Sequence, residues 1–99
     1  MTRDTLADVL EEIALLLELK GENPFKIRAY RTGAETVRQF SGDIVSLARE
    51  GELKGIKGIG EALQQNLHEL ASTGILAFHE NLRSEFPETL FELFKIPGL

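Results

Sequence analysis

The chain has 99 residues, 42% of them hydrophobic, and no cysteine. A domain this small buries roughly two-thirds of the surface its unfolded chain exposes, enough for one core and not for two. The missing cysteines exclude disulfides and thiolate metal sites and point to a cytoplasmic setting, and the longest apolar run, Ile13 to Leu17 between Glu12 and Glu18, is far short of a membrane span.

A formal net charge of −5 runs against the basic footprint of a nucleic-acid binder, but the charge is unevenly spread. Residues 1–19 carry Arg3 against Asp4, Asp8, Glu11, Glu12 and Glu18, and residues 61–99 carry Arg83 and Lys95 against six glutamates. Between them lie Lys20, Lys26, Arg28, Arg31 and Arg38, opposed only by Glu22 and Glu35, and then Arg49, Lys54 and Lys57. An anionic partner is expected to dock on that middle stretch.

Thr5 followed by Asp8 has the form of a capping box, and Leu6, Val9, Leu10, Ile13, Leu16 and Leu17 recur at helical spacing until Gly21. This predicts a first helix with one buried stripe. Asn23-Pro24 supplies an N-cap and a proline at the first helical position; Ile27, Tyr30, Ala34 and Val37 form the apolar face of a second helix ending near Phe40, with Gly33 costing it about 1 kcal/mol relative to alanine. Ser41-Gly42-Asp43 reads as a turn, and Ile44, Leu47 and Ala48 as a short third helix stopped by Gly51, with one more helical turn over 52–56. Glu61 to Thr73, with Leu63, Leu67 and Leu70 at one face and Gly74 beyond its end, predicts a further helix. Ala77 to Ser84 and a segment opened by Pro87 complete a set of five to six helices. No segment alternates like a strand, so the expected fold is an all-α orthogonal bundle.

A pattern recurs at a separation of forty residues. Glu52-Leu53-Lys54-Gly55-Ile56-Lys57-Gly58-Ile59 and Glu92-Leu93-Phe94-Lys95-Ile96-Pro97-Gly98-Leu99 both read E-L-x-x-I-x-G-[I/L]. In the first copy the pattern continues into Gly60 and a helix, which is the signature of a helix-hairpin-helix motif; the second stops at Leu99, the expected start of a following, truncated hairpin. The expected division is therefore residues 1–86 for the first unit and 87–99 for the next. Gly58 and Gly60 are expected to allow positive φ and the close approach of an anion, while Ile59 plugs the hairpin into its core. The unpaired N–H groups of the turn and of the next helix form a main-chain phosphate site at the positive end of a helix dipole. Lys54 and Lys57 stand beside it. The carbonyls of Lys54, Ile56 and Ile59 can face a monovalent cation, Na+ or K+, that bridges to phosphate, as in similar motifs. The plain alternative is a tight interhelical turn.

At Asn23-Pro24-Phe25-Lys26-Ile27-Arg28-Ala29-Tyr30-Arg31 the sequence resembles the N-terminal domain of family X DNA polymerases, the DNA polymerase beta-like family, and particularly its bacterial and archaeal members. The resemblance continues through Ile56-Lys57-Gly58-Ile59-Gly60 and Ser72-Thr73-Gly74 into Leu93 to Leu99. It implies a non-sequence-specific DNA-binding domain of a repair polymerase, acting in base excision repair, that holds gapped DNA by its 5′-phosphate. Lys26 falls at a phosphate-binding lysine, Tyr30 at a tyrosine beside that pocket, and Phe25 at a ring that stacks on a template base. Mg2+ would belong only to the nucleotidyltransferase site beyond Leu99, and the rest of that polymerase chain is the implied protein partner.

Some family members also remove a 5′-deoxyribose phosphate through a lysine Schiff base. Here the resemblance places Asn66 at that lysine and Ala62 at a phosphate-binding lysine four residues earlier. Asparagine cannot form a Schiff base, and no lysine occurs from position 58 to 94. No catalytic residue is therefore assigned.

Other readings of single residues stay open. Tyr30 lies on an apolar stripe and suits a core position with its hydroxyl at the rim. Phe25 suits base stacking or a staple onto the first helix. Arg28 and Arg31 suit phosphate contact; Arg31 and Arg38 share an edge that equally suits a solvated face. Glu11 and Glu12 read as surface, His68 and His79 as isolated. A monomer is expected, with DNA as its partner, no membrane contact, and a protein-interaction module without nucleic acid as the alternative role.

Overall fold

The computed structural model describes residues 1–94, and among these every regular element is a helix. The order is α1 Arg3–Leu19, α2 Pro24–Gln39, α3 Ile44–Arg49, α4 Glu61–Thr73, α5 Ala77–Ser84 and α6 Glu88–Phe94. The hairpin expected at Lys95 to Leu99 lies outside the described residues.

α1 starts one turn earlier than Thr5, because Thr2 is the cap: its Oγ1 accepts the Thr5 N–H at 3.2 Å. Its buried face is wider than one stripe. Leu6, Val9, Leu10, Ile13, Leu16 and Leu17 are joined by Ala7, Glu12 and Ala14, since α1 packs chiefly on α2 and also touches α3, α4 and α5. A helix surrounded by others buries more of its circumference than a surface helix does. Asn23 caps α2 through Oδ1, which accepts the Phe25 N–H at 2.8 Å.

Gly33 is explained by packing. A Cβ there would stand 2.6 Å from Leu63 Cδ1 and 3.5 Å from Leu10 Cδ1, so the missing side chain lets the Leu63 side chain of α4 approach α2. That approach offsets the helix-propensity cost of about 1 kcal/mol. Three meetings define the approach: Thr36 with Gly58, Gly33 with Leu63, and Tyr30 with Asn66. Descending α2 thus corresponds to ascending α4.

Between Glu50 and Gly60 the backbone forms turns, not the extra helical turn expected at 52–56. The Ile56 N–H bonds Leu53 O at 3.3 Å and the Ile59 N–H bonds Ile56 O at 3.2 Å, with Gly55 and Gly58 at φ +89° and +95°. Leu53 and Ile59 still turn inward, 1% and 4% exposed, so the segment is anchored by two apolar pegs without helical hydrogen bonds.

Two residues read as surface or isolated are neither. Glu12 is buried, its carboxylate paired with His79 Nε2 and gripped by Arg83 Nη1, which donates to both oxygens at 2.9 and 3.0 Å. His79 is equally buried, and the Arg83 guanidinium lies 4.0 Å from the centroid of Phe91. A charge buried in a small core is tolerated only when paired and hydrogen-bonded, which this arrangement supplies. Through Phe91 the start of α6 shares the core of α1 to α5, so the described part of 87–94 is packed on the preceding unit. His68 is also engaged: its Nδ1 meets Ala48 O at 2.8 Å.

Candidate nucleic-acid interface

The turn leading into α4 is built from opposite needs at its two glycines. Gly58 has positive φ, and a side chain there would run into Thr36 Oγ1 of α2. Gly60 has φ −76° and ψ 176°, open to any residue, and a Cβ there meets nothing within 4 Å. The expectation of positive φ at both is thus corrected: only Gly58 needs glycine for conformation and packing. Gly60 is the N-cap of α4 and offers no side-chain cap. The first-turn N–H groups of Glu61, Ala62 and Leu63 therefore point outward without helical acceptors, at the positive end of a 13-residue helix. Glu61 shares this end and competes weakly for its field. Ile59 is buried, Lys54 and Lys57 are exposed, and Gln64 Nε2 donates to Ile59 O at 3.4 Å.

A second corner forms where the start of α2 meets α4 and α5. Phe25 is 77% exposed, which excludes a staple onto α1 and leaves its ring in solvent. Tyr30 is buried; its oxygen accepts the Asn66 Nδ2 donor at 2.7 Å, and its ring stacks on Phe78 with centroids 6.1 Å apart and planes 20° apart. Burial raises the phenol pKa above its ordinary 10.0, with the Asn66 hydrogen bond opposing part of that shift. Lys26 Nζ lies over the other aromatic partner, 5.3 Å from the Phe78 centroid. Asn66, the position implied to hold a lysine nucleophile, thus caps a tyrosine.

The sequence-derived site residues therefore fall into two groups. Phe25, Lys26, Arg28, Tyr30 and Arg31 lie on the first half of α2, and Lys54, Lys57, Gly58, Ile59 and Gly60 gather at the hairpin beside Thr36. Ten residues of α2 separate Lys26 from Thr36, about 15 Å along the helix axis, or roughly four nucleotide steps of a duplex.

The cations are not equally available. Arg31 pairs with Glu18, and Arg38 with both Asp8 and Glu11. The Arg38 pKa is raised: burial lowers it, and the hydrogen bond it donates to Glu11, with the charges of Glu11, Asp8 and Asp4, more than reverses that. Lys20 pairs with Glu85 at 2.9 Å, and that bond raises its pKa. Among the described residues no carboxylate lies within ion-pair distance of Lys26, Arg28, Lys54 or Lys57. Arg28 lines an open groove with Glu18, Glu22 and Arg31 at the junction of α1 and α2.

Thr36 and Phe78 escaped the sequence reading. Thr36 is a polar residue off the apolar stripe of α2, and Phe78 lies near the start of a short helix with no local link to Lys26. Among the described residues no helix is long and apolar enough to cross a membrane.

Comparison with known proteins agrees with this architecture. The helix-hairpin-helix domain family matches residues 1–76. The chain is 36% identical over 99 residues to the N-terminal region of a Bacillus subtilis (strain 168) protein, "DNA polymerase/3'-5' exonuclease PolX", covering all of this chain and 17% of that relative. No solved structure matches it. With the two-glycine turn, the apolar peg at Ile59 and the uncapped α4 following it, the chain belongs to the helix-hairpin-helix domain family, of the kind found at the N-terminus of a family X DNA polymerase.

Proposed function

We propose that this domain grips DNA through backbone phosphates and a strand-end 5′-phosphate, as the DNA-holding module of a family X repair polymerase. The observation that carries the reading is the pairing of two anion-ready corners on one bundle: uncapped α4 N–H groups beside Lys54 and Lys57, and Lys26 and Tyr30 gathered on the Phe78 ring. Neither corner offers groups that read base edges, so contact is to phosphate and, through the exposed Phe25, to a base face. A monovalent cation at the carbonyls of Lys54, Ile56 and Ile59 would bridge hairpin and phosphate. Ile56 and Ile59 oxygens each already accept one hydrogen bond, and a carbonyl has room for a second partner.

Chemistry on the sugar is not part of this role. A Schiff base needs an amine near the sugar aldehyde, and Asn66 supplies an amide already engaged with Tyr30. The acidic remainder of the surface favours a second reading, a protein-interaction module. Fluorescence anisotropy with gapped duplexes at low and physiological salt separates them. The expected result is salt-sensitive binding, tighter when the downstream strand carries a 5′-phosphate than a 5′-hydroxyl. Absence of DNA binding at low salt would sink the reading in favour of the second.

A further inference from the structure

The Phe78 ring is shared. Tyr30 stacks on it and the Lys26 ammonium sits over it, while Tyr30 and Lys26, one helical turn apart on α2, belong to the same face. We propose that Phe78 is a positioning residue, which holds the Lys26 ammonium toward the terminal phosphate; the inference rests on the reading that this corner takes such a phosphate. A lysine on the exposed first turn of a helix samples many rotamers, and ordering them costs binding energy. An aromatic face attracts the ammonium without consuming its hydrogen-bond donors, so the three N–H groups remain free for an anion. The same ring stacks on Tyr30, whose oxygen accepts the Asn66 donor and whose own O–H has no acceptor among the described residues. Phe78 thus brings together a cation and a hydroxyl donor separated in sequence by a turn of α2. Its own place is secured at the start of α5 by Leu76 and His79, both 1% exposed.

The test uses the 99-residue chain and two gapped duplexes that differ only in a 5′-phosphate or 5′-hydroxyl on the downstream strand. Phe78→Leu, which keeps an apolar cover over Tyr30, is expected to lower the phosphate-to-hydroxyl affinity ratio roughly two- to fivefold, the range of a surface cation–π contact. Phe78→Tyr should retain the ratio. In a Lys26→Gln background Phe78→Leu should leave the ratio unmoved, which a merely structural role would not predict. Proton NMR of the free protein gives a second readout: the Lys26 ε-methylene protons should be shifted upfield by the ring, and the shift should persist in Phe78→Tyr. This measurement needs only the parent and the tyrosine variant, so it stands even if the leucine variant fails to fold. Unshifted ε protons in the parent, or a folded Phe78→Leu with an unchanged ratio, would overturn the proposal. A parent indifferent to the 5′-phosphate yet showing the shifted ε protons would instead remove the functional reading on which the positioning role depends.

Discussion

Gly58 and Gly60 stand one residue apart and answer to different constraints, so substituting each with alanine should separate folding from binding. Gly58→Ala meets both a left-handed backbone, which costs a non-glycine residue roughly 1–2 kcal/mol, and the Thr36 side chain. Gly60→Ala places its methyl in open space at an ordinary φ and should change stability by no more than about 0.5 kcal/mol. It should nonetheless weaken DNA binding, because the methyl stands where a phosphate must approach the α4 N–H groups. Urea melts and anisotropy measured side by side would reveal the split; normal DNA affinity in Gly60→Ala would reduce the hairpin to a structural turn. Tyr30 offers a spectroscopic check on the other corner. It is the sole tyrosine in a chain without tryptophan, so absorbance titration reports it alone. Its midpoint should lie above 10.0, and Asn66→Leu should raise it further by removing the donor that favours phenolate. Because the folded-state pKa exceeds the unfolded one, stability should decline as pH rises from about 10 toward the folded value. A midpoint lowered by Asn66→Leu would mean that the amide does not donate to the phenol.

Between elements, the Glu12, His79 and Arg83 cluster ties α1 to α5, and through Phe91 to α6. Breaking a buried pair costs about 3–5 kcal/mol, a large share of the roughly 5–15 kcal/mol that hold a domain of this size, and without Arg83 the buried Glu12 carboxylate keeps only its contact with His79 among the described residues. Arg83→Ala should therefore lower the thermal midpoint sharply while leaving the two corners proposed to contact DNA chemically intact, and it is a poor neutral control for binding experiments. A melting temperature within a degree or two of the parent would refute the cluster's structural weight. Nothing near Glu12 in the chain announces this partnership, because His79 is 67 residues away. Helix identity, in contrast, was legible wherever its determinants are local. Asn23-Pro24 opens α2, and Gly74, at φ +83°, stops α4 at Thr73 as expected. The extra turn expected at 52–56 failed because Leu53 and Ile56, spaced like helix residues, lie in two successive turns broken by Gly55, with Leu53 and Ile59 as the buried pegs. Burial pattern alone does not distinguish those cases.

At the scale of the whole molecule, the basic stretch from Lys20 to Lys57 was visible in the sequence, but the number of cations available to a ligand was not. That number depends on which residues of α1 face α2. Glu18, Asp8 and Glu11 line that seam and engage Arg31 and Arg38, and Glu85 engages Lys20, so that Lys26, Arg28, Arg49, Lys54 and Lys57 are without ion-pair partners among the described residues, and all of these but Arg49 belong to the two groups of site residues. The acidic balance of −5 is partly taken up in the same way, by α1 carboxylates that pair with α2 arginines, while Glu61 stays at the hairpin corner. DNA association is expected to release counterions in proportion to the phosphates neutralised. If those four cations each meet one phosphate, log affinity should fall with log salt at a slope of about −3.6 on duplex DNA. Lys57→Ala should flatten the slope by about 1. Arg38→Ala should leave the slope nearly unchanged and act on stability instead, because its loss frees Asp8 and Glu11 to repel one another. Arg31 lies between these cases: its pair with Glu18 is exposed on both sides and weak enough to be exchanged for a phosphate, at the expense of leaving Glu18 beside the DNA. Arg31→Ala should accordingly flatten the slope less than Lys57→Ala, and Glu18→Gln should tighten DNA binding by releasing the guanidinium. Equal slope losses for Arg31→Ala, Arg38→Ala and Lys57→Ala would mean that the α1 carboxylates do not govern which cations reach the DNA.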